Sequence, residues 1–289
     1  MKAIAFPDKR AVRRSFERAA QSYDAAAVIH REVGKRLLEH LDPILIEPSR
    51  IVDVGCGTGA SLEALARRFP PAALVGLDLA LDMLGRARAR APWWRRALGL
   101  RLAHLACADA ESLPIANGAA GLVFSNLALQ WCRPDAFFTE AARILPAGGL
   151  FLFSTFGPDT LRELRTSFAA ADGGEHVHTF VDMHDLGDAL VNAGFADPVM
   201  EMETITLEYS TVDALARDLK SAGAHNALPG RSRGLVGKAR WKRMVERYES
   251  LRRDGALPAT YEVVYGHAWK VAPKRTADGR HIIDFHRAP

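Results

Sequence analysis

The sequence predicts an α/β fold in which a mostly parallel, seven-stranded sheet carries helices on both faces. Three observations predict it: short and almost uniformly apolar segments, helical segments that alternate with them, and a glycine-rich turn directly after the first apolar segment. Apolar residues along the whole of a strand indicate that both faces of the sheet are covered. With 289 residues, 48% of them hydrophobic and 25% charged, the chain is long enough for one such domain with an appended lobe.

The strands and helices follow from the periodicity of the apolar residues. The spacing of Val12, Phe16, Ala19 and Tyr23 predicts a first helix, and the next helix is predicted over 25–41. The predicted strands cover 51–54, 73–78, 101–105, 121–125, 149–155, 198–209 and 260–270. The remaining predicted helices cover 61–68, 81–90, 134–145, 158–170, 182–193, 211–222 and 235–253.

This order of elements predicts three regions. An N-terminal helical cap covers 1–48, the sheet domain covers 49–210 and 258–289, and an inserted helical lobe or lid covers 211–257. Residues 217–254 contain 11 Lys or Arg against 4 Asp or Glu, whereas the net charge of the whole chain is only +4. Such a basic surface suits an acidic partner, although a solvated helix face is the simpler alternative.

Composition argues against several classes of protein. No apolar run approaches the roughly 18 residues of a membrane span, and the N-terminus is too charged for a secretory signal, so we expect a cytoplasmic protein. The three cysteines form no CxxC pair, which argues against a disulfide framework and a zinc site. His176, His178 and His184 lie close together in sequence, but their spacing is not a convincing ligand set, and we expect no bound metal.

The sharpest local motif is IVDVGCGTG at 51–59, where an apolar strand runs into a turn and then a helix. Gly55, Gly57 and Gly59 allow the backbone to approach a ligand closely, and the free N–H groups of the following helix favour a negatively charged ligand group. Asp53 lies inside the end of the strand and is expected to contact the same ligand. The glycine spacing differs from the GxGxxG typical of dinucleotide-binding proteins, so a dehydrogenase is the less favoured interpretation.

Two further carboxylates end the next two strands. Asp78 closes the second strand, where it can accept hydrogen bonds from both hydroxyls of a ribose, and Asp109 follows the third. Asp109 can accept from the exocyclic amine of an adenine, while backbone N–H groups near Ala110 read the edge of the ring. Because the carboxyl ends of parallel strands meet in one crevice, we expect a nucleoside site there. A helix cap at Asp78 and a turn at Asp109 are the alternatives.

Together, these residues resemble the Rossmann-like class I family of S-adenosylmethionine-dependent methyltransferases over residues 16–156. The resemblance implies that the three glycines lie against the methionine and ribose of the cofactor. It also implies that Asp78 binds the ribose, that Asp109 binds the adenine and that Asn126 lies beside the methionine. Tyr23 resembles the aromatic residue that covers the cofactor in relatives with an N-terminal helical lid, although a plain core position is the alternative.

Five stretches carry a narrower resemblance: RSFERAAQSYDAAA at 14–27, DAESLPIANGAAGLVFSNLALQWC at 109–132, FSTFGPDTLRELRTSF at 153–168, HVHTFVDMHDLGDAL at 176–190 and TYEVVYGHAWK at 260–270. They are similar to the malonyl-acyl carrier protein O-methyltransferase family of biotin biosynthesis. The resemblance implies methyl transfer to the free carboxylate of malonyl-acyl carrier protein. That carboxylate is ionised at neutral pH, so no general base is expected.

The acceptor instead needs groups that hold its carboxylate. We predict that Arg162 and Arg165, in the helix after the fifth strand, bind it, since a guanidinium matches a carboxylate bidentately; a solvent-facing position is the alternative. Gln130 and Trp131 are expected to border the same pocket. The basic residues 238–253 are expected to steer the acidic carrier protein, with no nucleic-acid or membrane partner.

Other functions remain open at this point because acceptor identity changes easily on one fold. A small carboxylic acid or a quinone precursor is an alternative acceptor. The stretch GPDTLRELR at 157–165 also resembles protein-arginine hydroxylases that assist in the assembly of mitochondrial complex I, or a scaffold with the same domain.

Overall fold

The computed structural model describes residues 6–90, 102–172, 176–224, 227 and 237–272. Within those ranges no helix is both long enough and apolar enough to cross a lipid bilayer.

The N-terminal cap consists of α1 (Lys9–Ala19), the short α2 (Tyr23–Ala26) and α3 (Val28–Glu39). The prediction that one helix continues from Val12 to Tyr23 is wrong, because α1 ends at Ala19 and Tyr23 starts a new helix. Ser22 lies at the break, where its hydroxyl donates to the Ala19 carbonyl at 3.2 Å. A serine side chain bonded to a nearby backbone group competes with helix continuation.

The described strands form one seven-stranded sheet, as predicted. They are β1 (Arg50–Val54), β2 (Ala73–Asp78), β3 (His104–Cys107), β4 (Leu122–Asn126), β5 (Leu150–Phe156), β6 (Phe195–Tyr209) and β7 (Leu257–Lys270). Their spatial order is β3-β2-β1-β4-β5-β7-β6. The first five strands run parallel, and β7 is antiparallel to both β5 and β6. The carboxyl ends of five strands therefore meet at one edge of the sheet.

Helices cover both faces of this sheet and bury two hydrophobic clusters. The helices after the cap are α4 (Ala60–Arg68), α5 (Leu81–Ala89), α6 (Pro134–Ile144), α7 (Arg162–Asp172), α8 (Met183–Asn192), α9 (Val212–Ser221) and α10 (Lys238–Glu249), and a 3-10 turn covers Leu129–Trp131. One cluster joins Leu37 of α3 to Phe124 of β4. The other joins Phe137 of α6 to Phe151 of β5. Both faces of the central strands are buried, which explains their uniformly apolar sequences.

The predicted strands all have counterparts, with the largest shift at β3. It covers His104–Cys107 instead of 101–105, and its register against β2 starts at the pair His104 and Val75. β3 is at the edge of the sheet and pairs with β2 alone, so its bounds depend on that pairing. Local apolar spacing does not encode a pairing between distant segments. Helices α9 and α10 lie between β6 and β7, where the inserted lobe is predicted, and the exact limits of that lobe stay a prediction. Residues 235 and 236 of the predicted last helix and residues 273–289 lie outside the described residues.

Candidate active site

The turn after β1 packs tightly against two neighbouring segments. Gly55 and Gly59 have φ angles of +77° and +85°, which L side chains rarely adopt. A Cβ on Gly55 would lie 2.4 Å from the Cβ of Ala128, so no side chain fits there. The N–H groups of Gly55 and Cys56 donate to the Leu77 carbonyl at 2.8 and 3.0 Å. These contacts hold a bare stretch of backbone at the carboxyl edge of the sheet.

The carboxylate of Asp78 is fixed beside this turn. Its Oδ2 accepts from the N–H of Gly57 at 2.9 Å, and its Oδ1 accepts from the N–H of Ala80 at 2.8 Å. Burial raises the pKa of Asp78 to about 6, against the opposing effect of the backbone N–H groups that bond to it. Each oxygen keeps a lone pair, so the carboxylate can accept two further hydrogen bonds from ligand hydroxyls.

A cavity of about 680 Å³, partly open to solvent, lies against Asp78 and is called the glycine-loop cavity below. Seven of the nine residues predicted to contact a cofactor line it: Tyr23, Gly55, Gly57, Asp78, Asp109, Ala110 and Asn126. Asp53 and Gly59 are not among its lining residues. Gly59 instead precedes α4, and a Cβ there would lie 3.0 Å from the Cβ of Ala87. Gly59 therefore permits close packing between α4 and α5.

Asp109 closes one side of the glycine-loop cavity together with a lysine of the cap. Lys9 Nζ lies 2.8 Å from Asp109 Oδ1 and 2.8 Å from Glu111 Oε1, and it also lines the cavity. The N–H of Glu111 donates to the same Oδ1 of Asp109 at 3.0 Å. The second carboxylate oxygen of Asp109 takes part in neither contact and can accept from a ligand amine. Lys9 was not predicted from the sequence.

Tyr23 covers the glycine turn. Its ring lies 3.9 Å from the position that a Cβ on Gly57 would take, and burial raises the pKa of its phenol. The next residue, Asp24, fixes α2 in this position, because its carboxylate accepts from the Thr58 hydroxyl at 2.5 Å and pairs with Arg90 Nη2 at 2.8 Å. The ring of Tyr23 and the backbone of the turn thus form opposite walls.

Asp53 is a buried carboxyl with an unpartnered oxygen. Asp53 is 1% exposed, and its Oδ2 has no hydrogen-bond partner. Burial, together with the negative charge of Asp78, raises the pKa of Asp53 to about 8. A carboxyl of this kind is neutral over most of the physiological pH range, and a nearby positive charge would ionise it. Its predicted contact with the cofactor stays a prediction.

Asn126, at the end of β4, connects the sheet to the cap. Its Nδ2 donates to the His30 carbonyl at 2.9 Å, and its Oδ1 accepts from the Ser154 hydroxyl at 2.8 Å. The close approach of α3 requires Gly34, since a Cβ there would lie 2.9 Å from Asn126 Nδ2. Asn126 therefore holds α3, and with it His30, against the end of β4.

A second cavity of about 850 Å³ lies on the other side of Trp131 and is called the aromatic cavity below. Trp131 lines both cavities. The wall of the aromatic cavity is mostly apolar and aromatic, and its polar or aromatic members are His30, Gln130, Phe156, Thr160, His176, His178, Phe180, Tyr209, Asp218 and Tyr261. These residues come from the cap, β5, β6, β7, α9 and the connections between them. Among the described residues that line it, there is no lysine or arginine.

Gln130 and Trp131 therefore border the second cavity, where the sequence predicts an acceptor pocket. Gln130 is already engaged, since its Nε2 donates to the Leu127 carbonyl at 2.6 Å and its Oε1 accepts from the Thr155 hydroxyl at 3.3 Å. Trp131 Nε1 is buried without a partner. The two neighbouring residues thus differ, because the Gln130 amide is bonded within the protein whereas the indole N–H of Trp131 has no partner.

The structure does not bring Arg162 or Arg165 into the aromatic cavity, contrary to the sequence prediction. The Arg162 side chain is 55% exposed and lies near Asp159 and Glu163 on the outer side of α7. Arg165 donates to the carbonyls of Pro158, Thr160 and His178, at 2.6, 3.0 and 3.3 Å. Its guanidinium fastens the loop around the cavity. Both arginines lie in a helix after β5, as the sequence predicts, but the sequence could not show these local contacts.

The three histidines considered as ligands occupy different environments. His176 stacks on Phe168 with ring centroids 3.9 Å apart, whereas His178 Nε2 accepts from the N–H of Ala227 at 2.9 Å. His184 is largely exposed. Among the described residues, no group of three or more His, Cys, Asp or Glu is placed to hold a metal ion.

His30 is a site residue that the sequence interpretation missed. It lines the aromatic cavity, and its Nδ1 is buried without a partner. Burial lowers the pKa of His30 to about 4, so the ring is neutral at pH 7. The sequence carried a signal, since His30, Val33 and Leu37 follow one another at the 3–4 residue spacing of one helix face.

The glycine-loop cavity fits a nucleoside that carries a sulfonium. Asp78 offers fixed acceptors for ribose hydroxyls, and Asp109 offers one for an adenine amine. Aromatic faces and carboxylates stabilise a positive charge, and Tyr23, Phe16 and Trp131 present rings to this cavity. The unpartnered oxygen of Asp53 marks a buried position where added positive charge is favourable. The residues present therefore suit S-adenosylmethionine.

Comparisons with known proteins agree with this geometry. A family model described as a methyltransferase domain matches residues 52–153. A putative methyltransferase from Bacillus halodurans has a TM-score of 0.57 at 20% identity, covering 83% of this chain and 99% of its own. Phosphoethanolamine N-methyltransferase 2 from Haemonchus contortus, in complex with S-adenosyl-L-methionine, has a TM-score of 0.56 at 18% identity, covering 89% and 57%. These likenesses establish the fold.

Fold and site together define a Rossmann-like, S-adenosylmethionine-dependent class I methyltransferase. A malonyl-[acyl-carrier protein] O-methyltransferase from Gallionella capsiferriformans is 52% identical over 96% of both chains. Another from Laribacter hongkongensis is 53% identical over 97% of both chains. The chain belongs to the malonyl-[acyl-carrier protein] O-methyltransferase family.

Proposed function

We propose that the enzyme transfers a methyl group from S-adenosylmethionine to the free carboxylate of malonyl-acyl carrier protein, an early step of biotin (pimeloyl) synthesis. The observation that carries the proposal is the shared wall at Trp131, which brings a cavity suited to the cofactor against a second, mostly apolar cavity. Relatives with more than 50% identity over nearly the whole chain support the choice of acceptor.

The chemistry asks little of the protein beyond positioning. S-adenosylmethionine, when bound, supplies an electrophilic methyl group on a positively charged sulfur. A carboxylate oxygen of the acceptor forms a bond to the methyl carbon as the carbon–sulfur bond breaks, and the bonding pair stays on sulfur. No proton moves, which agrees with an acceptor that is ionised without a base. Alignment of oxygen, carbon and sulfur can contribute about 7–11 kcal/mol to the lowering of the barrier.

The residues of the glycine-loop cavity have separate proposed tasks. Asp78 holds the ribose hydroxyls, Asp109 holds the adenine amine, and Tyr23 covers the methionine side against the glycine turn. Asn126 orients the methionine moiety from the opposite side. The cap excludes water from the cavity because the contacts of Lys9 and Asp24 draw its helices onto the sheet domain.

The aromatic cavity is the proposed site of the malonyl group and its thioester-linked arm. Its volume of about 850 Å³ and mostly apolar wall suit a long, uncharged chain. Asp218 is in the wall, and a carboxylate there would repel the malonyl carboxylate. The charged end of the acceptor therefore lies towards Trp131, where the two cavities meet.

The carrier protein docks on the basic face of α10 in this proposal. Residues 238–253 include the exposed Lys242, which lies 3.8 Å from Glu246. Arg243 donates to the Ala171 carbonyl at the end of α7 at 3.1 Å, and α7 also supplies Leu164 to the aromatic cavity. The basic surface is thus attached to a wall of the acceptor site, as steering of an acidic carrier protein requires. The cytoplasmic location and the absence of nucleic-acid or membrane partners stay predictions from the sequence.

Methyl transfer can be tested with labelled S-adenosylmethionine against malonyl-acyl carrier protein, malonyl-coenzyme A and free malonic acid. We expect transfer to the carrier-bound acceptor, with lower kcat/KM for the coenzyme A thioester and lowest for the free acid. The mass of the product must increase by one methyl group, whereas hydroxylation of a protein would add oxygen. Absence of label in all three acceptors would refute the proposed function.

A further inference from the structure

Two buried nitrogen atoms on the boundary of the acceptor site have no partner. Trp131 Nε1 and His30 Nδ1 are both inaccessible and unbonded, and both side chains line the aromatic cavity. They are two of only three such side-chain atoms among the described residues, and the third belongs to Asp53. Buried polar groups without partners are rare, because such a group loses its hydrogen bonds to water on folding and gains none within the protein. Two of them around one cavity indicate that a ligand supplies the missing acceptor.

Aromatic contacts fix both rings before any ligand binds. The Trp131 ring lies edge-on to Phe16 at 5.4 Å and to His178 at 5.1 Å. The His30 ring lies 5.5 Å from Tyr23, and its backbone carbonyl accepts from Asn126. Trp131 also lines the glycine-loop cavity, so its side chain lies between the proposed cofactor and acceptor sites. The positions of these nitrogens are therefore set by the same residues that shape the cofactor site.

The electrostatic character of the wall indicates what kind of ligand group it takes. The described lining contains no lysine or arginine, and burial lowers the pKa values of His30 and His178 to about 4, so both are neutral at pH 7. Indole N–H is a donor with no acceptor function. Asp218 is the one acidic residue of the described lining, so a carboxylate does not suit the wall at α9. Trp131 and His30 offer neutral donors, and the acceptor carboxylate, which accepts hydrogen bonds, matches this part of the wall.

We propose that the Trp131 indole N–H and the His30 imidazole N–H bind the acceptor carboxylate and orient one of its oxygens towards the methyl group. The inference rests on the proposed function and names the groups that perform its acceptor-binding step. It assigns that role to neutral donors in place of Arg162 and Arg165. It also requires the His30 tautomer with the proton on Nδ1.

Neutral donors have a catalytic advantage over an arginine at this position. The negative charge of the carboxylate decreases as its oxygen bonds to the methyl carbon, while the positive charge on sulfur decreases with it. A fixed cation beside the carboxylate would stabilise the starting charges more than the transition state, and so would raise the barrier. Hydrogen bonds from neutral groups hold the carboxylate in line with a smaller loss of reactivity.

The test compares substitutions that remove one donor each. Trp131→Phe deletes the indole N–H and keeps an aromatic ring between Phe16 and His178. His30→Phe deletes the imidazole nitrogen, whereas His30→Asn keeps an N–H donor near the position of Nδ1. Trp269→Phe is the matched control, because Trp269 pairs with Leu150 at the opposite edge of the sheet. Affinity for S-adenosylhomocysteine, measured by calorimetry, reports whether each variant keeps a folded cofactor site.

Two acceptor measurements are made on each variant. The first is kcat/KM for malonyl-acyl carrier protein. The second is the affinity of the enzyme–S-adenosylhomocysteine complex for malonyl-acyl carrier protein, compared with its affinity for acetyl-acyl carrier protein, which lacks the carboxylate. We expect Trp131→Phe and His30→Phe to lower kcat/KM by roughly 10- to 100-fold, the effect of a lost hydrogen bond to a charged group. Both should reduce the preference for the malonyl form, and His30→Asn should recover part of it. The control should match the wild type.

The outcomes separate this inference from the proposed function. If the wild type does not methylate malonyl-acyl carrier protein, both are overturned. If the wild type does so and Trp131→Phe keeps its kcat/KM and its malonyl preference, only the donor assignment is overturned. If kcat/KM and the malonyl preference fall only in Arg162→Gln or Arg165→Gln, an arginine binds the carboxylate and the donor assignment is likewise overturned.

Discussion

The carboxylate of Asp78 shows how one residue can prepare a ligand site before the ligand arrives. It is tied to two backbone N–H groups, so in its proposed role it need not be ordered when it binds the ribose hydroxyls. Asp78→Asn should weaken S-adenosylmethionine binding by about tenfold or more, because an amide presents only one acceptor atom where the carboxylate presents two. Calorimetric titration measures this change.

The control for that prediction is Asp82→Asn, an exposed carboxylate in the first turn of α5. It removes the same charge from the same neighbourhood and should leave cofactor affinity within twofold or so of the wild type, since a screened surface charge contributes little. Equal affinities for wild type and Asp78→Asn would remove the ribose role from Asp78.

Asp53 predicts a pH dependence of stability for the ligand-free enzyme. Its folded pKa of about 8 exceeds the ordinary value of 3.8, so the folded state holds a proton that the unfolded state releases, and stability falls as pH rises through this interval. His30 and His178 act oppositely only below pH 6.5, since their folded pKa values are about 4. Between pH 6.5 and pH 8, the free energy of unfolding should fall by about 1–2 kcal/mol.

Urea denaturation of the wild type and of Asp53→Asn at these two pH values measures that decrease. The variant has no proton to release, so its stability should change much less over the same interval. If the free energy of unfolding falls equally in the wild type and in Asp53→Asn, the pKa of Asp53 is not raised by burial in the folded state.

Single residues also mark the limit of prediction from the sequence. Asp78 and Asp109 could be placed together from the sequence because Asp78 ends β2 and Asp109 follows the end of β3, and the ends of parallel strands meet at one edge of the sheet. The arginines at 162 and 165 were misplaced because helical periodicity does not say which carbonyls lie within reach. His30 was overlooked because a histidine on an apolar helix face gives no chemical motif.

At the scale of elements, the cap is held over the cofactor by contacts at its two ends. Lys9 of α1 pairs with Asp109 and Glu111, and Asp24 of α2 binds Thr58 and Arg90. Asp24→Asn should increase the dissociation rate of S-adenosylhomocysteine by roughly 3- to 10-fold, a modest effect because the pair with Arg90 is partly exposed. Stopped-flow displacement with excess S-adenosylmethionine gives this rate.

Arg13→Gln provides the comparison for the cap. It removes the ion pair between Arg13 and Glu17 on the outer side of α1. Neither residue of this pair lines the glycine-loop cavity. We expect it to leave the dissociation rate unchanged. An unchanged rate in Asp24→Asn as well would mean that the cap does not control release of the product.

The basic helix α10 leads to a prediction about the carrier protein. Lys242→Glu with Arg247→Glu should raise KM for malonyl-acyl carrier protein about tenfold at low salt, because both charges then repel an acidic surface, and less at high salt. Arg243 is kept, since its bond to Ala171 holds α10 on α7. Steady-state kinetics at two ionic strengths measure the effect.

Malonyl-coenzyme A and Lys35→Glu serve as controls for that experiment. The small acceptor has no protein surface to dock, and Lys35 is an exposed residue of α3 whose side chain is 73% accessible. KM for the small acceptor and the kinetics of Lys35→Glu should stay unchanged. A similar rise in KM for both acceptors would show that α10 acts on the pocket instead of on the carrier protein.

Elements were predictable where a single periodicity spans the segment, and less so elsewhere. Strands β1, β4 and β5 match closely because each is buried along most of its length. The cap was predicted as two helices, yet Ser22 breaks the first, and this depends on a hydrogen bond from one hydroxyl. The start of β3 depends on its register against β2, which is a pairing between distant segments.

At the scale of the whole molecule, the two cavities differ in how far the sequence reveals them. The glycine-loop cavity is assembled largely from the ends of consecutive strands, so chain order predicts it. The aromatic cavity is assembled from the cap, α9, β6, β7 and the loop after α7. No rule of local spacing joins segments so far apart in the chain, so the absence of lysine and arginine from the described part of its wall became visible only in three dimensions.

The partition formed by Trp131 places one side chain against both proposed ligand sites. If a bound cofactor moves this ring out of its aromatic contacts, the affinity for the acceptor changes. By linkage, the acceptor then changes the affinity for the cofactor by the same factor. Replacement of this one side chain should therefore change the affinities for the cofactor and for the acceptor together.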